Sequence, residues 1–434
     1  MKPTTNPASS AGKAASRNGP RSTARINRRE FLARTITALG VGVTVIRAAD
    51  EGVSLVRSLT RVTLRRGRDG RGPTWFHPRA CLLPGRDGPM ALMTLQTIGG
   101  SDYFGPVHWT GSDDLGRSWS APQPVPSLGR IPAPEGAEEG VCDVVPEYHE
   151  PTRTVLALGH QVFYRGPRFD PDQPPRRPVY AVRRPDGSWS ERRILEWDDP
   201  RGEYVYTNNC GQRVVLPDGD ILLAFSFGRR DEPRRVAGVR CGFDGEHVRV
   251  REVGPALANP VKRGFLEPSL TRFDGRFWLT LRAEDDRGYV AVSDDGLDWS
   301  PPQPWRWDDG EPLIMSTTQQ HWLTHSRGLF LVYTRRDDTN ANVIRWRSPL
   351  WMAEVDRATR RLRRSTERTV FPLTGDGVND PDGVALMGNF HVTNVLPDES
   401  WVTVGEWLPR RGARGDLLLA RIGWNRPNEL APRW

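Results

Sequence analysis

Along the chain, short apolar runs recur in pairs, each pair split by a turn-forming group and bracketed by polar residues. The stretch from Glu267 to Arg282, EPSLTRFDGRFWLTLR, shows the unit: a carboxylate, a strand, Asp274-Gly275, a second strand and a guanidinium. Asp-Gly between two apolar runs is a strong hairpin signal, because both residues tolerate the backbone angles of a tight turn. The unit is found six times. The first runs from His77 and Arg79 through Asp87-Gly88 to Gln96, and the second from Asp143 through Pro151-Thr152 to His160, with Tyr164 just beyond. The third runs from Cys210 and Gln212 through Asp218-Gly219 to Phe225, and the fourth is the stretch quoted. The fifth runs from Gln319, Gln320 and His321 through Ser326-Arg327-Gly328 to Tyr333, and the sixth from Asn389, Phe390 and His391 through Pro397-Asp398-Glu399 to Glu406.

The unit starts lie about 60 residues apart, leaving room for two further strands after each hairpin. Six such units predict an all-β chain folded as a six-bladed β-propeller, with four-stranded blades around a central axis. A hairpin sends both open ends to one side, so the bracketing polar residues should converge on one pocket. Glu267 and Arg282 should face each other at its rim.

Composition agrees with many short strands: 43 Gly, 38 Pro and 16 Trp, with no long apolar helical pattern. The formal charge of +8 is concentrated at the start, where residues 1–50 hold nine Lys/Arg against Glu30 and Asp50. The remaining body is close to neutral and lacks the basic face that phosphate-backbone binding needs, which sets nucleic acid aside as a partner. Within the leader, Asn27-Arg28-Arg29-Glu30-Phe31-Leu32 precedes the apolar run TITALGVGVTVI, residues 35–46, and resembles a twin-arginine export signal. At this length the run is too short to span a bilayer. The expected organisation is a disordered leader over 1–50 and one propeller over 51–434, exported through the twin-arginine machinery to the periplasm or beyond.

Cys81, Cys142, Cys210 and Cys241 are far apart, without metal-type spacing. Four of the eight histidines, His77, His160, His321 and His391, stand at hairpin ends, where they could act as acids or bases near neutral pH. Three inward histidines could hold a metal, but the spacing gives no support, and neither metal nor cofactor is expected.

Two further segments narrow the kind of propeller. Ser112-Asp113-Asp114-Leu115-Gly116-Arg117-Ser118-Trp119 matches the S-x-D-x-G-x-x-W Asp box, and Asp294-Asp295-Gly296-Leu297-Asp298-Trp299 repeats its D-x-G-x-x-W core. Asp and Gly form the turn and Trp packs into the blade, so the box is structural. With these boxes the body from about 70 to 425 resembles the sialidase (neuraminidase) superfamily. That resemblance implies an arginine triad gripping a substrate carboxylate, an aspartate acid/base, and a tyrosine nucleophile activated by glutamate. Glu267 and Arg282 match the glutamate and one triad arginine. Arg347, with Arg345 in reserve, fits the arginine one blade later, on a strand leading outward. The first triad arginine belongs to a Y/F-R-I-P motif, where this chain reads Phe76-His77-Pro78-Arg79, so Arg79 serves by a register shift and His77 occupies the motif's own slot. Arg130-Ile131-Pro132 has the motif's letters in the wrong part of the blade. Asp102, in Gly99-Gly100-Ser101-Asp102, is the acid/base candidate.

The sixth unit departs from the family. Counting back from Asp398 to the tyrosine slot reaches Phe390, which cannot form a covalent intermediate. The expected activity is an exported sialidase-like glycoside hydrolase acting on a terminal sialic acid or another acidic sugar of a glycan or glycoconjugate. The catalytic candidates are Asp102, Glu267, His77 and His391. Arg79, Arg282, Arg347, Gln96, Asp143, His160, Tyr164, Gln320, His321 and Asn389 are the substrate-binding candidates. The alternatives are a polysaccharide lyase on a uronate-containing glycan, with a histidine or Tyr164 abstracting the proton, and a carbohydrate-binding propeller without catalysis.

Overall fold

A computed structural model describes residues 54–207, 211–408, 410 and 412–433. The twin-arginine segment and Cys210 lie outside the described residues. The described strands form six antiparallel sheets, the blades of a six-bladed β-propeller. Their innermost strands are Trp75–Pro84, Glu138–His149, the pair Tyr204–Thr207 and Val214–Val215, Leu266–Phe273, His321–His325 and Phe390–Leu396. Each is followed by its hairpin partner, as in Leu266–Phe273 with Arg276–Arg282, and then by strands stepping outward. Among the described residues the helical elements are single 3-10 turns, and no helix is long and apolar enough to cross a membrane.

The strands are buried on both faces, which differs from simple alternation. Ile221–Gly228, ILLAFSFG, is buried throughout because each blade is sandwiched between two others. Each blade-to-blade contact has its own apolar cluster. Blades one and two meet through Val107, Val125, Val141 and Val179, and blades five and six through Leu323, Val332, Phe390 and Val404. The ring closes in blade six, whose outermost strand is Val56–Arg65 from the start of the propeller, paired with Leu417–Trp424 from its end.

Two Asp-Gly turns link third to fourth strands. Asp114 Oδ1 accepts from the Ser118 amide at 2.8 Å and the Ser112 hydroxyl at 2.9 Å, and Asp295 Oδ1 likewise accepts from the Leu297 amide and the Ser293 hydroxyl. A Cβ on Gly116 would lie 2.8 Å from the Trp401 ring, and one on Gly296 only 2.1 Å from Leu222 Cδ2, so these turns dock against the preceding blade. They stand at the ends of third strands, away from the hairpin mouths.

In blade three the inner position is split. Val214–Val215 pairs with Ile221–Leu222, while Tyr204–Thr207 pairs with Ser226–Gly228 at the open end of the hairpin. This brings Tyr204 and Tyr206 to the mouth.

Candidate functional site

Three inner strands break their ladder at the same height. Pairing skips between Phe76 and Arg79, between Cys142 and Val145, and between Leu266 and Ser269. Inside these bulges His77, Asp143 and Glu267 have φ of 51°, 52° and 42°, in the left-handed region. A non-glycine residue there costs roughly 1–3 kcal/mol, and a bulge re-aims its side chain. Three blades thus turn a polar group toward the axis at one level.

Above this ring, loops between the second and third strands of the blades form the mouth. Asp102, at φ 55° in the turn between Pro89–Gly100 and Tyr103–Ser112, comes from blade one, and Arg345 and Arg347 from blade five. These three line a cleft of about 110 Å³ with Asn389 and the apolar Phe76, Ile98, Phe104, Leu386 and Trp407. Glu267 Oε2 lies 2.6 Å from Arg282 Nη1. Arg345 and Arg347 have no carboxylate partner among the described residues. Burial, then the charges of Arg282 and Arg345, pulls the Arg347 guanidinium down to about 9. A guanidinium stays protonated in practice, so the depression measures how poorly this buried cation is compensated, and an anion would relieve it. Gly388 permits the arrangement, because a Cβ there would stand 2.8 Å from Arg347 Cδ and 2.7 Å from Thr318 Oγ1.

Arg79, expected in the triad, is instead a buried strut. Its Nη1 donates to the Phe390 carbonyl, and its Nη2 donates to Asp143 Oδ1 at 3.1 Å and Gln319 Oε1 at 3.0 Å. With no exposure it cannot reach a ligand. Asp143 belongs to the same strut: burial alone would raise its carboxyl, but His77, Arg79 and His160 bring it down to about 2. His77 is itself lowered by burial, so Arg79 is the partner that counts at neutral pH. His77, 4.3 Å from the Phe104 ring and 3.4 Å from Asp143, lies beneath the cleft rather than in it.

The other polar candidates mostly knit blades together. Gln96 Nε2 donates to the Gly105 and Val141 carbonyls, and Gln320 Oε1 accepts from the Thr280 hydroxyl. His321 contacts Ser269 and Gln319 and is pushed well below its ordinary range by burial. His391, also lowered well below by burial, lines a separate cavity of about 380 Å³ farther along the axis, with Gln212, Arg213 and Asn394. That larger cavity carries an internally paired charge, Arg213 against Glu147 at 3.0 Å. Tyr164 donates to the Asp102 carbonyl at 3.2 Å and accepts from the Phe104 amide, so it holds the Asp102 turn. Burial raises its phenol far above the ordinary range. Cys142 Sγ lies 3.1 Å from His160 Nε2, and with Asp143 their ligand atoms fall within 4.8 Å of one another. Asp143 Oδ1 already faces Arg79 and His77, and burial keeps the Cys142 thiol protonated.

Phe390 is fully buried in the core between blades five and six, with its ring against His321. Asn389 is the sixth-blade residue that lines the cleft, its Oδ1 accepting from Gln319 Nε2. Arg347 lies at the end of the 3-10 turn Ile344–Trp346, ahead of the outward strand rather than on it. Arg263, paired with Glu284 at the mouth, was not foreseen; its only sequence signal is a position four residues before Glu267.

No protein-family model and no curated protein matches this chain. Solved structures do. A protein of unknown function from Dyadobacter fermentans superposes with a TM-score of 0.59 at 13% identity, covering 86% of this chain and 100% of that one. The Hadza microbial sialidase Hz136 gives 0.59 at 13% identity over 84% of this chain and 68% of its own. Trypanosoma rangeli sialidase gives 0.56 at 14% identity over 85% of this chain, which spans 60% of that enzyme. At these identities the likeness is one of fold, a sialidase-like propeller.

Proposed function

We propose that this protein is a sialidase-like glycoside hydrolase that removes a terminal sialic acid or another acidic sugar from a glycan. The observation that carries the reading is the excess of guanidinium at the mouth: Arg282, Arg345 and Arg347 against Glu267 and Asp102. Planar guanidinium groups bind a planar carboxylate by paired hydrogen bonds, which a lone lysine does not reproduce. The fold shared with two sialidases supports a glycan as substrate.

In this reading the arginines hold the sugar carboxylate, and Asp102, across the cleft, gives its proton to the leaving oxygen as the glycosidic C–O bond breaks. Asn389 supplies no hydroxyl on the sixth blade, so a water attacks the anomeric carbon and Glu267 accepts its proton. Inverting chemistry requires this division of labour between two carboxyl groups. Proton NMR of the first-formed sugar checks it: the inverted anomer is expected, and a retained one would mean that a side chain forms a covalent intermediate.

The missing hydroxyl also favours a second reading, a lyase acting on a uronate. Incubation with sialosides and with uronate polysaccharides separates the two, free sialic acid marking the hydrolase and ultraviolet absorbance of unsaturated uronate the lyase. Undiminished acidic-sugar binding by Arg282→Ala would overturn both. We also propose export to the periplasm or beyond: replacing Arg28 and Arg29 with Lys is expected to retain the chain in the cytoplasm, read by cell fractionation.

A further inference from the structure

The mouth carries more guanidinium than one carboxylate needs. On blades two and three stand Arg176 and Arg234, each just ahead of a third strand, and Arg234 feels the charges of both Arg176 and Arg282. Several other arginines around this fold are matched, as in Arg263 with Glu284, Arg335 with Glu367 and Arg184 with Glu246. Arg176 and Arg234 have no carboxylate within ion-pair reach among the described residues.

Both lie over an aromatic ring. The Arg234 guanidinium lies 3.7 Å from the centroid of the Tyr206 ring, whose other partner is Tyr204 at 5.6 Å and 17°. The Arg176 guanidinium lies 4.9 Å from the Phe169 centroid, and its Nε donates to Gln173 Oε1 at 2.7 Å. The backbone ties the arc together: the Val205 amide donates to the Arg176 carbonyl at 3.1 Å, and the Phe265 amide to the Arg234 carbonyl at 3.1 Å. Gly264, at φ +75°, allows the last contact, since a Cβ there would lie 2.2 Å from the Arg234 oxygen. Arg234 is thereby fixed beside the segment leading into Glu267. Stacking on an aromatic face leaves the in-plane N–H groups open, the edge that grips carboxylate or sulfate. Burial and the neighbouring Arg263 pull Arg234 down to about 9, a second poorly compensated cation.

We propose that Arg176 and Arg234, positioned by Phe169 and Tyr206, form a second acid-binding subsite for a carboxylate or sulfate on the sugar next to the terminal one. The favoured substrate then carries acid groups on two adjacent sugars. This rests on the reading of the mouth given above.

Calorimetry compares free sialic acid, sialyllactose and the α2,8-linked sialic acid dimer, which adds a second acid group, at fixed salt. The dimer is expected to bind about tenfold tighter than sialyllactose, the equivalent of one charge-assisted contact. Arg234→Gln and Arg176→Gln are each expected to collapse that ratio to below about threefold, with thermal melts confirming that the variants fold. Equal affinity of dimer and sialyllactose for the unaltered protein overturns the subsite, and so does an unchanged ratio in both variants. If no singly charged ligand binds, the reading of the mouth fails instead. The subsite is then judged on an unsaturated uronyl disaccharide with and without a sulfate on its second sugar, and equal binding of those two overturns it.

Discussion

At the scale of single residues, the two buried arginine environments behave oppositely. Arg79 is compensated by Asp143, so Asp143→Asn leaves an unpaired cation in the axis and should cost roughly 3–5 kcal/mol, read as a lowered melting temperature. The Asp143 carboxyl sits near 2 when folded, against about 4 when unfolded. Its contribution to stability is therefore present above about pH 4 and is lost as pH falls toward 2. The gap in stability between the unaltered protein and Asp143→Asn should accordingly narrow in melts run at falling pH. Arg347 lines the cleft with no carboxylate partner among the described residues, so under the proposed function Arg347→Gln should weaken acidic-sugar binding by about 2 kcal/mol, or roughly 30-fold, in titration calorimetry. Phe390→Tyr would place a hydroxyl in the core between blades five and six, and is expected to lower stability by about 1–3 kcal/mol without changing the anomer first released. The pairing of Glu267 with Arg282 was legible because both close one hairpin. The burial of Arg79 and His77 was not, because one bulged residue decides whether a strand's next side chain meets the cleft or the axis, and alternation alone does not announce a bulge.

Among the elements, the bulged inner strands and the loops above them divide the work between floor and walls. Gly388 shows how narrow the tolerance is. Gly388→Ala would drive a methyl into Arg347 and Thr318, and should weaken acid binding at least about tenfold while costing roughly 1–3 kcal/mol of stability, measured by calorimetry and thermal melts on the same sample. The hairpins were readable from turn chemistry and spacing, in the second unit down to strands on either side of Pro151-Thr152. Blade three was less readable: its inner strand is interrupted, and the substitute Tyr204–Thr207 comes from chain preceding the hairpin. Of the arginines on second–third strand loops, Arg345 and Arg347 were named through the family resemblance, whereas Arg176 and Arg234 were missed because nothing in their local spacing distinguishes them from solvated charge. Only the fold gathers them.

For the whole molecule, six blade-to-blade cores share the stability, and each depends on the ring being complete. A chain beginning at residue 67 lacks the strand Val56–Arg65, leaves the edge of Leu417–Trp424 unpaired, and is expected to lose its cooperative melt, with partial recovery when a peptide of residues 54–66 is added. That the fold is a six-fold ring was legible from six hairpins at regular spacing, and so was the gathering of polar hairpin ends, whereas the roomier cavity farther along the axis, lined by His391 and Arg213, had no signal in the spacing.

The pairing of Val56–Arg65 with Leu417–Trp424 also sets a schedule. The first strand of the propeller to leave the ribosome finds its partner only when nearly the whole chain has been made, so ring closure is among the last events of folding. Contacts so distant along the chain make folding slow and leave sheet edges open while it proceeds. Under the proposed export of an already folded chain, the leader would have to be held back from the export machinery until the final strand has been synthesised.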